Sequence, residues 1–154
     1  MEEKTVITYG TFDLFHVGHV RLLKRAKEMG DRLIVGVSTD DFNAAKGKRT
    51  IIPFEQRAEI VQSIRYVDLV IPEERWEQKI EDIKKYGVDV LVMGEDWQGK
   101  FDDLSAYCDV VYLPRTKDIS SSQLKNSLKS LLQISPAKLR EAIDVLEQIL
   151  NDLE

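Results

Sequence analysis

The chain reads as an α/β protein, a doubly wound and mainly parallel five-stranded sheet with helices on both faces, followed by an additional C-terminal helix. Three observations predict this. Short apolar runs alternate with helical patterns along the chain. The runs are continuously apolar rather than alternating, as strands covered on both faces are. Nearly every unusual polar cluster follows a strand, where ligands collect in open parallel sheets.

The first strand, Val6-Ile7-Thr8-Tyr9, runs out at Gly10. An amphipathic helix over Val17–Met29 follows, with Leu22, Leu23, Ala26 and Met29 as its apolar positions and Gly30 as its stop. Further strands are expected over Leu33–Val37, Leu69–Ile71, Val88–Met93 and Val110–Leu113. Helices are expected from about Pro53 to Ile64, from about Glu77 to Tyr86 with a stop at Gly87, and over a segment whose apolar positions are Leu124, Leu128, Leu131 and Leu132. Ser135-Pro136 is a helix-start signal, and the last helix runs to about Leu153. This divides the chain into a principal domain over 1–132 and a helical extension over 133–154.

Composition narrows the function classes. A formal net charge of −5 argues against general nucleic-acid binding, which needs an excess of cations, so any anion site must be built locally. No apolar run approaches the roughly 20 residues of a membrane span. A charged start leads directly into a strand, with no signal-peptide pattern, so a cytoplasmic location is expected. Cys108 is the single cysteine; with Val110 and Val111 nearby it reads as a buried thiol, and one cysteine with two histidines makes no structural zinc set.

Those two histidines, His16 and His19, lie where the first strand turns into a helix. Free backbone N–H groups and the helix dipole favour anions there, and neutral imidazoles can donate to phosphate oxygens. A lone histidine is usually a packing or capping residue; two of them beside Gly18 at such a turn favour a phosphate site. After the second strand come Ser38-Thr39-Asp40-Asp41 and the basic loop Lys46-Gly47-Lys48-Arg49, which is either solvated or an anion contact. Trp76-Glu77-Gln78-Lys79 opens a helix, where the tryptophan either packs or lines a ligand. In Gly94-Glu95-Asp96-Trp97 the glycine permits close ligand approach, and a carboxylate can accept from the amino group of cytosine or of adenine. The segment from Arg115 to Ser122 joins a guanidinium to serines at a helix start, either simple caps or a triphosphate site. Arg65 ties helix to strand through a carboxylate such as Asp68, or serves as a functional cation.

Taken together, Gly10-Thr11-Phe12-Asp13, His16-x-Gly18-His19, Trp76-Glu77-Gln78-Lys79, Gly94-Glu95-Asp96-Trp97 and Arg115-Thr116-x-x-Ile119-Ser120 resemble the cytidylyltransferases of the nucleotidyltransferase superfamily, and look most like the glycerol-3-phosphate cytidylyltransferase family. The resemblance covers residues 4–132. It implies a Rossmann-like fold and a reaction of CTP with sn-glycerol 3-phosphate, giving CDP-glycerol and pyrophosphate, with Mg²⁺ held mainly by the CTP phosphates. The product would feed the glycerol-phosphate polymers of bacterial walls (teichoic acids) or capsules. By the same resemblance His16, His19, Lys48 and Arg115 are the catalytic groups, and they bind CTP together with Gly10, Thr11, Phe12, Asp96, Thr116, Ile119, Ser120, Ser121 and Ser122. The acceptor is expected against Asp13, Lys46, Arg57, Trp76 and Lys79. Asp13 is also the nearest candidate carboxylate for the Mg²⁺, though a turn or acceptor-binding role suits it equally. Asp118 stands where the family's loop usually has glycine. The resemblance implies a homodimer, since the resembling enzymes are typically dimers through the catalytic domain itself. Two other readings stay open: a related enzyme using another small phosphorylated alcohol or ATP, and a nucleotide-binding module without catalysis.

Overall fold

Strand β1 (Thr5–Gly10) is buried on both faces, with Val6 and Ile7 fully inaccessible, because it occupies the centre of the sheet. In the computed structural model, which describes residues 3–117, 119–133 and 135–153, four more strands flank it: β2 (Arg32–Ser38), β3 (Leu69–Glu73), β4 (Val90–Gly94) and β5 (Asp109–Leu113). The order is β3-β2-β1-β4-β5 and every pairing is parallel, with Val6 opposite both Leu33 and Val90. Successive side chains point to opposite faces, so the strands feed two cores. Val6, Leu33, Val35, Val90 and Val92 pack with Leu23, Ala26 and Val61 on one face, while Ile7, Ile34, Leu91 and Met93 pack with Ile83 and Leu104 on the other.

The helices follow the expected pattern with shorter ends: α1 (Val17–Lys27), α3 (Phe54–Gln62) and α4 (Gln78–Tyr86), the last closed by Gly87 in the left-handed region at φ 59°. One helix was not anticipated. The stretch Asp40–Ala45 forms α2, capped by Thr39, whose side chain accepts from the Phe42 N–H. Ser38-Thr39-Asp40-Asp41 is thus a helix start, a cap followed by two acidic residues in the first turn. Short 3₁₀ turns at Glu95–Trp97 and Asp102–Ala106 bridge β4 to β5. Cys108 is buried, as expected, and burial pushes its thiol up.

The chain separates into two compact units, Met1–Ser121 and Ser122–Glu154. That boundary lies earlier than the expected 132/133 division, and α5 (Ser121–Leu132) falls almost wholly in the second unit with α6 (Pro136–Asp152). No helix of the described residues is long and apolar enough to cross a membrane.

The topology places the site. From β1 the chain winds towards β2 and β3 on one side, and β4 and β5 lie on the other, so the direction switches between β1 and β4. The crevice beyond the carboxyl ends of these strands, at Gly10 and Gly94, is where such sheets bind ligands.

Candidate active site

His16 is the N-cap of α1, and its Nδ1 accepts from the Gly18 N–H at 3.0 Å. The backbone N–H of His16 in turn donates to His19 Nδ1 at 3.1 Å, so the two histidines form a reciprocal capping box. The rings stack with centroids 3.9 Å apart. Because both Nδ1 atoms are acceptors, both neutral rings carry their proton on Nε2. Burial pushes both pKa values down, that of His19 to about 3 with further lowering by His16, so both rings are neutral at pH 7. The Nε2 of His16 is a buried donor without a hydrogen-bond partner among the described residues, a feature that an anion oxygen would satisfy. Gly18 is required here: a Cβ would lie 2.7 Å from His16 Cε1 and 2.9 Å from Nδ1.

The turn before this pair is strained. Phe12 and Leu14 are both left-handed, at φ 54° and 48°, a conformation costing about 1 kcal/mol or more for a residue with a side chain. The surrounding contacts hold it. Phe12 is buried against His19, edge to face at 5.4 Å, and the Asp13 carboxylate accepts from Ile51 N–H at 2.8 Å and Ile52 N–H at 3.0 Å. Asp13 is only 2% exposed, and its carboxylate ties two loops together, which is the turn role open to it beside the expected acceptor contact.

Arg57 is buried in the same way. Its side chain has no exposed surface, and its guanidinium donates to the carbonyls of Ile52, Thr11 and Ser38 and to Asp40 Oδ1. It forms a buried post under the strand ends. Arg65 is exposed, with its guanidinium 5.1 Å from the Tyr66 ring, while Asp68 pairs instead with Lys27 at 2.6 Å.

A cleft of about 70 Å³ at the strand ends brings together Gly10, Thr11, Lys46, Lys48, Trp76 and Lys79, six of the expected site residues. Lys79 is buried and paired with Glu73 at 2.6 Å, and its ammonium lies 4.4 Å from the Tyr9 ring centre and 5.0 Å from that of Trp76. Glu73 Oε1 also accepts from Ser38 Oγ, which lies 3.4 Å from Lys46 Nζ. Lys46 rests over the Phe42 ring at 4.1 Å, and burial, with Lys48 and Lys79 nearby, pushes its pKa down to about 8. Three ammonium groups thus face one carboxylate, which leaves the cleft suited to an anion.

Sequence reasoning gave no site role to Glu73 or Tyr9 in this lining, and named Trp97 only as part of its motif. Glu73 ends β3, and the rule that polar groups at strand ends form sites would have found it.

The other expected CTP residues lie elsewhere. Arg115 and Thr116 line a separate cavity of about 390 Å³ with Arg21, Lys24 and Arg25 of α1. Arg115 also bridges to Asp96 at 2.6 Å, and its N–H donates to Glu95, which joins the loops after β4 and β5. That pair is exposed and therefore weak, so a phosphate can compete for the guanidinium. Ile119 lies against Gly18, and Ser121 Oγ donates to the Asp13 carbonyl, so the loop after β5 meets the histidine turn. Ser120 is half-buried, Ser122 is exposed in the first turn of α5, and Asp118 lies outside the described residues.

The profile of the cytidylyltransferase-like family matches residues 7–127, from β1 into α5. The chain belongs to that family. Within it, the chain is 57% identical over 128 residues to the glycerol-3-phosphate cytidylyltransferase of Bacillus spizizenii, covering 83% of this chain and 99% of that protein. It is 57% identical over 125 residues to the enzyme of the same name from Staphylococcus aureus, covering 81% and 95%. A lipopolysaccharide core biosynthesis protein from Thermoplasma volcanium shares the fold, with a TM-score of 0.65 at 24% identity over 75% of this chain and all of the other. For a cytidylyltransferase-like chain the histidine turn and the cleft are the natural place to look for chemistry, and α6 lies beyond the family match.

Proposed function

We propose that this protein is a glycerol-3-phosphate cytidylyltransferase, transferring the cytidylyl group of CTP to sn-glycerol 3-phosphate to give CDP-glycerol and pyrophosphate. The observation that carries the reading is the stacked histidine pair, whose Nδ1 atoms are both engaged, so that both Nε2–H groups are oriented as neutral donors. The similarity to named glycerol-3-phosphate cytidylyltransferases over most of the chain supports the choice of substrates.

The acceptor phosphate is anionic at neutral pH and needs no general base. One of its oxygens attacks the α-phosphorus of CTP, the bond from that phosphorus to the α,β-bridging oxygen breaks, and the electron pair leaves with pyrophosphate. Catalysis is then positioning and charge stabilisation. His16 and His19 donate to the oxygens of the α- and β-phosphates, where charge grows as the bridge breaks. Lys46 and Lys79, with Trp76 in the same cleft, hold the acceptor phosphate, while Lys48, which also lines it, takes charge on the triphosphate. Arg115, released from Asp96, and the loop over Thr116, Ile119, Ser120, Ser121 and Ser122 take the leaving group, and Asp96 then accepts from the cytosine amino group.

No cluster of three or more histidine, cysteine or carboxylate side chains able to hold a metal is present among the described residues. Mg²⁺ would be held mainly by the CTP phosphates, as Mg·CTP, with its remaining oxygen ligands drawn from water. We further propose a cytoplasmic homodimer whose product supplies glycerol-phosphate polymers.

The test is pyrophosphate release from CTP, ATP, GTP and UTP, each offered glycerol 3-phosphate, phosphoethanolamine, phosphocholine and ribitol 5-phosphate. Turnover with CTP and glycerol 3-phosphate at least a hundredfold above every other pair is expected. Preference for another pair would overturn the substrate assignment, and no turnover with any pair would overturn catalysis.

A further inference from the structure

We propose that Glu73 is a positioning residue for the acceptor phosphate: one buried carboxylate holds Lys79 directly and Lys46 through the Ser38 hydroxyl. The inference rests on the acceptor assignment above and adds to it a group that no motif marks. Glu73 closes β3 and lies in register with Ser38, the last residue of β2, so the two side chains meet at the carboxyl ends of the sheet. It is 3% exposed. Its Oε1 accepts from Ser38 Oγ at 2.6 Å and its Oε2 from Lys79 Nζ at 2.6 Å, while Lys46 Nζ donates to the same Ser38 Oγ at 3.4 Å. All four residues line the cleft, unlike Arg57, which donates to carbonyls under the strand ends.

A carboxylate in a cleft for a phosphate dianion weakens the attraction of that cleft, because like charges repel. The ammonium groups supply its purpose. Lys79 is 2% exposed, and a buried ammonium persists as a charge only when an anion is paired with it. Three rings confine the same group, those of Tyr9, Trp76 and Phe101, with centres 4.4, 5.0 and 5.3 Å from Nζ. Gln78 fastens the first turn of α4 to the end of β3: its Oε1 accepts from the Glu74 and Arg75 N–H groups and its Nε2 donates to the Pro72 carbonyl. Lys79 therefore extends from a fixed backbone. Lys46 comes from the other side of Glu73 in sequence, as the C-cap of α2. With both ammonium groups tied to one carboxylate, their mutual repulsion is offset in advance, and an incoming phosphate meets cations whose positions are already set.

Glu73 also governs the pH range over which Lys46 is charged. Lys46 meets Glu73 of β3, Lys79 of α4, Arg57 of α3 and Lys48 of its own loop; burial and the three cations lower its pKa, and the Glu73 carboxylate opposes them. Without that carboxylate Lys46 loses its proton at lower pH. Glutamine at position 73 keeps the shape of the side chain and removes its charge. Its single oxygen can serve only one of the two donors, Ser38 Oγ or Lys79 Nζ, while its NH₂ group confronts the other.

Steady-state pyrophosphate release from CTP and glycerol 3-phosphate, measured with the full chain across the titration of Lys46, tests this. In Glu73→Gln the KM for glycerol 3-phosphate should rise about tenfold while that for CTP stays within about twofold. The decline of kcat/KM near pH 8 should move down by about one unit. Ser38→Ala keeps the carboxylate and its pairing with Lys79 and removes only the link to Lys46. Its acceptor KM should rise about threefold, with a smaller displacement of the decline than in Glu73→Gln. A residue that merely braced the fold would raise both KM values or neither and leave the decline in place, and either result in Glu73→Gln overturns the proposal. Should urea unfolding show that Glu73→Gln does not fold, Ser38→Ala decides, and an acceptor KM equal to that of the native chain overturns it. The native chain separates this failure from a failure of the proposed reaction: without turnover of CTP and glycerol 3-phosphate by the native chain the reaction itself fails, whereas native turnover with unaltered variants removes only the role of Glu73.

Discussion

The hydrogen bonds at the two Nδ1 atoms decide what the histidines can do. An imidazole that accepts at Nδ1 must donate at Nε2, so the capping box that starts α1 also sets the tautomer needed to face a phosphate. Replacing His16 with alanine removes cap and donor together. Turnover should fall by about a hundredfold or more, and stability by about 1 kcal/mol for the lost cap. Steady-state kinetics beside urea unfolding would separate the two, and turnover near that of the native chain would defeat the catalytic role. His19 makes a pH prediction. Its folded pKa, pushed to about 3, lies below the ordinary value of 6.5, so the unfolded chain binds the extra proton first. The stability that neutral His19 supplies is complete above pH 6.5 and is lost as the pH falls towards 3, by about 1 kcal/mol per unit at most. Thermal unfolding between pH 7 and 5 should show Tm falling, and His19→Gln should flatten that slope; equal slopes would refute it.

The segment from α2 to α3 shows how buried polar groups brace the strand ends. Asp40, in the first turn of α2, accepts from Phe54 N–H, Thr50 Oγ1 and Arg57 Nη2, and these bonds, the backbone one foremost, lower its pKa. Arg57 continues the network under β1 and β2. Arg57→Met should therefore destabilise the fold by about 3 kcal/mol, since it strands three carbonyls and a carboxylate. Urea unfolding measures this, and a loss under 1 kcal/mol would argue against the buried role. Lys46, at the end of α2, has a pKa near 8, low enough to titrate in the working range. A phosphate dianion needs the charged form, so kcat/KM for the acceptor should decline above pH 8 in the native chain. In Lys46→Arg the decline should disappear, because a guanidinium stays charged. On α4 and the turn before it, Lys79→Met and Trp76→Ala should raise the acceptor KM more than that of CTP. Equal effects on both substrates would relocate the acceptor.

The family match ends at residue 127, and no expected site residue lies beyond Ser122. Truncation after Gln133 should leave kcat per folded site within about twofold, read by active-site titration; a larger loss would give α6 a share in catalysis. Much of this was legible along the chain. Continuous apolarity marks parallel strands, Gly87 ends a helix, and a glycine between two histidines marks the turn into α1, because each of these reports backbone geometry within a few residues. The same local reading overlooked α2, where a capping Ser-Thr-Asp-Asp stretch passed for a loop. The roles of Asp13, Arg57 and Glu73 belong to the tertiary structure. Arg57 meets a carbonyl 46 positions away, and Asp13 meets amides 38 and 39 positions away. Motif spacing places a charged side chain at the end of a strand, but whether it faces ligand or is consumed by the scaffold depends on which backbone groups the fold leaves unpaired beside it. Only the packed sheet sets those partners, because burying an unsatisfied carbonyl or amide costs more than one charged side chain would contribute at the surface.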